Sequence, residues 1–345
     1  MSLLQVDQLT MRFGGLVAVD AVTLTIPPRE IVSLIGPNGA GKTTLFNAIT
    51  GIYEPSAGRI HFGGQATRRE FRWTTTVILL LTGLLTAAWL TLLRNLEPLW
   101  EVVIAGNYQY QQSFAWQAAR AAFTNYFSED SGSRLFVPGL LGLGLGWAGA
   151  WAVWQQSRRA PEVAAHAGIA RTFQNIRLFN QMTVLDNVLL GMDTRLRTRF
   201  WHAALRLPLF WREHRSATRQ AREILRFVDL DRSVNELAEN LSYGHQRRLE
   251  IARALAMQPK LLLLDEPAAG LNPAESQALM ELIRKIRDRG ITVLLIEHDM
   301  QVVMGISDRI VVLDYGEKIA EGSPAEVRTN PAVIQAYLGE PHADG

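Results

Sequence analysis

The stretch GPNGAGKTT, residues 36–44, places three glycines, a lysine and two threonines directly after the apolar run IVSLI. Residues of those types at that spacing suit the gripping of a polyphosphate. Glycines let backbone N–H groups turn inward around phosphate oxygens, and the start of the following helix adds the positive end of its dipole. The candidate binding residues are Gly36, Asn38, Gly39, Ala40, Gly41, Lys42, Thr43 and Thr44. Lys42 would reach the β- and γ-phosphates and the Thr43 hydroxyl would ligate Mg²⁺, the chemistry of the pattern GxxxxGK[ST] between a strand and a helix.

A second group of residues fits the same chemistry. In LLLLDEP, residues 261–267, four leucines of a buried strand end in Asp265 and Glu266. Acids leaving an apolar strand at its carboxyl end stand where α/β sheets put their ligands. Asp265 would hold Mg²⁺ through water, and Glu266 would orient or deprotonate the attacking water, since phosphoryl transfer needs mainly positioning and charge neutralisation. The run TVLLIEHDM delivers His298 to the same edge, where an imidazole can donate to the γ-phosphate. A lone histidine there is as readily structural, but its place after the glycine-rich loop and the acidic pair points to function.

These residues must be positioned by an α/β scaffold. Residues 1 to about 66 alternate short β-rich runs with turns and one helical run, KTTLFNAIT; from Gly168 a helical, arginine-rich region leads to two apolar strands separated by a helix. IVVLDYGEKIAEG reads as a β-hairpin before a short helical tail. The chain has 345 residues, 48% apolar and 20% charged, enough for one large or two ordinary domains. There is no cysteine, which excludes disulfides and thiolate chemistry and fits an intracellular location. The start reads as no secretory signal, so the N-terminus is expected in the cytoplasm. A net charge of +2 does not argue for a nucleic-acid partner, and none is expected.

At LSYGHQRRLEIARAL the chain resembles the ATP-binding subunits of ABC transporters, with residues 241–245 in the place of the LSGGQ signature. The resemblance implies a P-loop NTPase with a RecA-like core, an antiparallel β portion and a helical subdomain. It implies that Ser242 and Gly244 bind the γ-phosphate of an ATP held by an opposing subunit, which suits a serine N-cap and the free N–H groups of a helix start. Gln174, in ARTFQN, looks like the Q-loop glutamine that senses γ-phosphate and Mg²⁺ and contacts the membrane partner. Phe13 is similar to the aromatic that stacks on adenine, although an aromatic in a strand is more often core. Gly270, Leu271 and Asn272 lie where the D-loop should be. Tyr243, His245 and Asn272 depart from the family pattern, which bears on the rate of hydrolysis rather than its existence.

Further motifs, among them GIARTFQNIRLFNQMTVLDNV and IEHDMQVVMGISDRIVVL, look like the branched-chain amino acid importer branch. That branch implies a second ATPase subunit (the same chain or a related one), transmembrane permease subunits, a periplasmic binding protein acting through them, and a place on the cytoplasmic side of the bacterial inner (plasma) membrane. A non-transport ABC ATPase acting mechanically on ribosomes or DNA is the alternative, as is a membrane-anchored ABC subunit for another substrate or a scaffold without turnover.

The family passes from the P-loop helix to the Q-loop within a few dozen residues, whereas Lys42 and Gln174 stand 132 positions apart here. The extra length carries seven of the nine tryptophans and two uncharged runs, 73–93 and 135–154. At about 1.5 Å per residue each run spans roughly 30 Å, a bilayer's hydrocarbon thickness. Arg68, Arg69, Arg72, Arg158 and Arg159 flank the pair, while residues 94–134 carry three arginines against four acids. The expectation is a transmembrane helical hairpin with both ends in the cytoplasm and the connection outside. Trp73, Trp100 and Trp154 suit the interface belt, and Gly142 and Gly146 have GxxxG spacing. A pair of buried helices in an enlarged soluble domain is the competing reading.

The domain expectation is therefore core at 1–66, inserted hairpin at 67–160, core to the Q-loop at 161–174, helical subdomain at 175–243, core again at 244–330 and a tail at 331–345. Between Arg195 and Arg222 stand eight arginines and one acid, Glu213, interleaved with Phe200, Trp201, Leu205, Leu207, Leu209, Phe210 and Trp211. Such a basic amphipathic region can contact a membrane surface or form a solvated helical face.

Overall fold

The computed structural model describes residues 2–67, 71, 73–108, 113–129, 132–156, 161–193 and 208–338. The strands fall into two sheets. Strands β1 (Leu4–Phe13), β2 (Leu16–Ile26), β4 (Ala57–Phe62) and β5 (Gln65–Ala66) form an antiparallel sheet in the order β2-β1-β4-β5. Strands β3 (Ile31–Ile35), β6 (Ile169–Arg171), β7 (Leu261–Asp265), β8 (Thr292–Ile296), β9 (Arg309–Asp314) and β10 (Glu317–Gly322) form a second sheet in the order β10-β9-β3-β8-β7-β6. The second sheet is parallel apart from the antiparallel β9–β10 hairpin.

Strands β3, β7 and β8 are buried along their whole length, which explains their unbroken apolar runs: a strand covered on both faces has no polar alternation. Residues from both sheets, such as Leu4, Leu24, Leu34 and Leu263, share one core with Phe46 of the helix Lys42–Ile49. A second core joins β7 and β8 to the helices Val184–Gly191, Pro208–Phe227, Tyr243–Ala256 and Pro273–Asp288. Residues 194–207, which carry Phe200, Trp201, Leu205, Leu207 and the first four arginines of the basic region, lie outside the described residues.

The chain divides into two compact units, one of residues 1–68 with 159–345 and the other of residues 69–158. Within the second unit the helix Trp73–Leu99 packs along the helix Val137–Gln156. Both are long and apolar enough to cross a membrane. Leu79, Gly83 and Ala87, spaced by four, form the buried seam of the first helix, while Leu80, Leu85 and Trp89 point outward and are more than half exposed. This arrangement is the reverse of a buried core pair, because the apolar bulk faces away from the contact.

Gly142 and Gly146 lie on the facing seam. A Cβ at 142 would stand 2.4 Å from Ala87 Cα, and one at 146 would stand 2.6 Å from Thr86 Oγ1. By contrast, nothing lies within 4 Å of a Cβ built at Gly144. Gly142→Val is therefore expected to destabilise the hairpin by about 1–3 kcal/mol through overpacking. Thermal melting of the full chain in mild detergent checks this, with Gly144→Ala melting as the wild type.

The helix predicted over 73–93 runs further, to Leu99, with Pro98 inside its last turn and a π-helical turn following at Trp100–Ile104. The connection also holds a helix, Trp116–Glu129, that weak apolar periodicity hides. Asn95, 2% exposed, donates to the carbonyls of Thr91 (2.7 Å) and Arg134 (2.9 Å) and accepts from the Tyr126 hydroxyl (2.9 Å). Arg134 lies over the Tyr126 ring, 3.9 Å from its centroid. This node satisfies a buried amide and ties the connection to the end of the hairpin. At the other end Trp147, Trp151, Trp154 and Phe71 form an aromatic cluster. The flanking arginines Arg68, Arg69, Arg72, Arg158 and Arg159, and Asp130, lie outside the described residues.

Candidate functional site

Strand order decides what meets the glycine-rich loop. The loop follows β3, whose neighbours are β8 and β9, and β7 lies one strand beyond β8. In register, Leu34 of β3 pairs with Ile296, which pairs with Asp265. The loop, the acids after β7 and the histidine after β8 therefore leave the sheet along one edge.

The loop is held in shape by close backbone packing. Gly41 has φ +93° and a Cβ there would meet the Ala18 carbonyl at 2.4 Å, so this position takes only glycine. The helix Lys42–Ile49 starts directly after it, with no acid in its first turn to compete with a bound anion. Asn38, Gly39 and Thr43 are exposed, and Ala40 is buried. Lys42 Nζ donates to the carbonyls of Gly36 and Pro37, each at 2.8 Å. Burial lowers its pKa, a shift opposed by the charges of Glu266 and Asp265.

Gln174 Nε2 donates to Glu266 Oε2 at 2.9 Å, and His298 Nδ1 lies 3.8 Å from the same oxygen. Lys42, Asp265, Glu266, Gln174 and His298 thus form one constellation. Glu266 has φ +46°, a left-handed conformation unfavourable for a glutamate. Strain of that kind concentrates where a side chain must be aimed. The preceding residue of the histidine, Glu297, is 1% exposed and accepts from the Ala268 backbone at 2.8 Å. Burial pushes its carboxyl pKa up, opposed by that hydrogen bond and by His298.

Three residues of this site escaped the sequence reading. Arg171, ending β6, donates to Asp265 Oδ2 at 2.7 Å and to Asn47 Oδ1 at 2.6 Å, so it spans the carboxylate and the helix Lys42–Ile49. Its side chain is 9% exposed and that of Asp265 is 5% exposed. Arg247, fully buried, donates to the carbonyls of Phe173 (2.9 Å) and Gln174 (3.0 Å) and pairs with Glu250 at 2.7 Å. Glu250 in turn accepts from the Phe173 N–H at 3.1 Å. The helix that begins at Tyr243 therefore grips the backbone of the segment that presents Gln174. The available signal was charge in apolar surroundings: an arginine closing a buried strand, and an Arg–Glu pair on a helix face otherwise filled by leucine, isoleucine and alanine.

Ser242 caps the helix Tyr243–Ala256 and accepts from the His245 N–H at 3.4 Å. Ser242 and Tyr243 are exposed, and the latter lies against Gly270. Asn272 forms a capping box with Glu275 at the start of the helix Pro273–Asp288, so the departure from aspartate leaves a good N-cap in place. Phe13 is 44% exposed and meets Tyr53 edge-on at 5.2 Å, a placement on the surface rather than in the core. Ser242, Gly244 and Phe13 make no described contact with the Lys42 constellation.

The family model described as ABC transporter matches residues 19–121, which contain the loop, and 152–269, which contain the acids. The chain belongs to the ABC transporter family. A family model described as branched-chain amino acid ATP-binding cassette transporter matches residues 317–343. The chain is 40% identical over 339 residues to the high-affinity branched-chain amino acid transport ATP-binding protein LivG of Salmonella typhimurium, covering 98% of each. It is 37% identical, with the same coverage, to the corresponding protein BraF of Pseudomonas aeruginosa.

Among solved structures, a nucleotide-free ATP-binding cassette from an ABC transporter aligns with TM-score 0.63 and 23% identity, over 99% of this chain and 100% of that one. An ATP-binding cassette in its ADP conformation aligns with TM-score 0.62 and 24% identity, over 99% and 100%. These two share the fold of this ABC ATPase. Members of the family hydrolyse ATP to power transport, and this chain is an ATPase subunit of that kind.

Proposed function

We propose that this ABC ATPase binds and hydrolyses ATP to energise import of branched-chain amino acids through membrane-spanning permease subunits. The convergence of Lys42, Gln174, Asp265, Glu266 and His298 on one sheet edge supports the ATPase chemistry. The amino acid class rests on the relatives named above.

Residues 36–44 take the triphosphate, and Lys42 exchanges its two carbonyl acceptors for phosphate oxygens, which offer a charged and stronger hydrogen bond. Phe13 stacks on the adenine. Among the described residues no cluster of three acidic, histidine or cysteine side chains is ready to hold a metal alone. The oxygen donors Thr43, Asp265 and Gln174 nevertheless fit Mg²⁺, which binds through one or two carboxylates together with substrate phosphates. Bound there, Mg²⁺ supplies charge neutralisation.

Glu266 orients the water that attacks the γ-phosphate and accepts its proton, with Gln174 fixing the carboxylate and His298 donating toward the γ-phosphate. Ser242 and Gly244 act on the nucleotide of the opposing ATPase subunit, either a second copy or a related chain, so their separation from this chain's own loop fits a site completed in trans. The hairpin 73–154 crosses the inner membrane twice, leaving residues 94–134 outside and the ATPase on the cytoplasmic side.

Purification from native membranes in mild detergent tests the transport reading. Permease subunits that co-purify with the chain support it, and ribosomes in their place overturn it. The tether has its own test: the protein is expected to stay in the pellet after carbonate washing without its partners. Quantitative release would remove the hairpin from the account and leave the ATPase standing.

A further inference from the structure

The helix Pro208–Phe227 presents Arg212, Arg215, Arg219, Arg222 and Arg226 at alternating spacings of three and four residues. At 100° per residue they occupy an arc of about 80° and a length of about 21 Å. All five are exposed, while the opposite side of the helix buries Ala217, Ala221 and Leu225 in the core. The row is thus fixed in place by packing.

Elsewhere in the same unit five arginines pair with carboxylates, Arg171 with Asp265, Arg247 with Glu250, Arg248 with Asp229, Arg287 with Asp308 and Arg309 with Glu321, whereas others are dispersed singly over the chain. None of the five in the row forms an ion pair among the described residues. Two shallow clefts run between them, one shared with Glu223 and the other with Asp231 and Asn235. Like charges three and four residues apart destabilise a helix, so the row is a cost that a facing polyanion would offset. Leu209 and Trp211, both more than 40% exposed, begin the same helix. Basic residues beside an exposed tryptophan suit the interface of a bilayer.

We infer that this arginine row docks on anionic phospholipid headgroups, a flat phosphate array that guanidinium forks grip bidentately. The inference rests on the proposed membrane hairpin, which keeps the surface at high effective concentration.

The test compares the full chain in nanodiscs of phosphatidylcholine with discs containing phosphatidylglycerol, reading hydrogen exchange of residues 208–227. Slower exchange in the anionic discs, abolished by high salt and by replacing all five arginines with glutamine, is expected. Each single Arg→Gln change should weaken flotation with anionic vesicles about fivefold, the effect of one basic residue near such a surface. ATP hydrolysis in detergent is expected to be unchanged in these variants, which shows that they fold.

Insertion into neutral discs reports on the hairpin alone. If it fails while salt-sensitive binding to anionic vesicles persists, the tether is wrong and the row's role stands. Equal exchange in neutral and anionic discs overturns the inference. So does equal protection in neutral discs by inorganic phosphate or an oligonucleotide, which would make the occupant something other than a lipid surface.

Discussion

Glu266→Gln will lower ATP turnover by about 10²- to 10⁴-fold, the contribution of a positioned general base, while ATP still binds. The substitution keeps the shape of the side chain and an oxygen able to accept the Gln174 amide, which donates to it at 2.9 Å. It removes the charge proposed to orient and deprotonate water. Single-turnover hydrolysis and equilibrium nucleotide binding, measured on the same preparation, separate the two effects. A variant that hydrolyses at the wild-type rate would mean that Glu266 is not the base and would place another residue at the water.

Arg171→Met is expected to cost about 3–5 kcal/mol of stability, because it leaves the Asp265 carboxylate buried without its partner. The Asn47 contact is lost with it. The double variant Arg171→Met with Asp265→Asn should lose less than the sum of the single changes, since each removes the same interaction. Arg171→Lys should fall between, keeping charge but not the fork that reaches both Asp265 and Asn47. Denaturant unfolding of the wild type, the two single variants, the double variant and Arg171→Lys reads these differences. Strict additivity of the two single changes would show that the two side chains are not energetically coupled.

These residues also show where the sequence was legible. The glycine-rich loop is contiguous, and Gly41 and Lys42 carry its turn and its charge, so local pattern alone places it between a strand and a helix. Asp265, Glu266 and His298 follow recognisable apolar strands, and the parallel order of β3, β8 and β7 brings them to the loop. Arg171 was not legible because its partner lies 94 residues away, across the β6–β7 pairing. Arg247 was hidden for the same reason, its acceptors Phe173 and Gln174 being 74 and 73 residues distant.

In the apolar unit the two uncharged runs announced helices, and Gly142 and Gly146 their contact. The helix Trp116–Glu129 was missed because its apolar and polar residues are not sorted onto clear faces. The Asn95–Tyr126–Arg134 node depends on a chain reversal that no local pattern encodes. Phe13 differed from the usual fate of a strand aromatic because β1 ends at the Gly14–Gly15 turn, where its ring reaches Tyr53 and solvent.

The central claim is a nucleotide clasp made by Lys42 on one side and Ser242 with Gly244 of a facing subunit on the other. Structure determination of the complex isolated from native membranes, with Mg²⁺ and a non-hydrolysable ATP analogue, tests it most directly. The expected result is Lys42 Nζ on the β- and γ-phosphates, no longer on the Gly36 and Pro37 carbonyls, and Ser242 and Gly244 against the γ-phosphate held by the other subunit. Nucleotide bound elsewhere with Lys42 still on its own loop, or Ser242 and Gly244 distant from every phosphate, would contradict it.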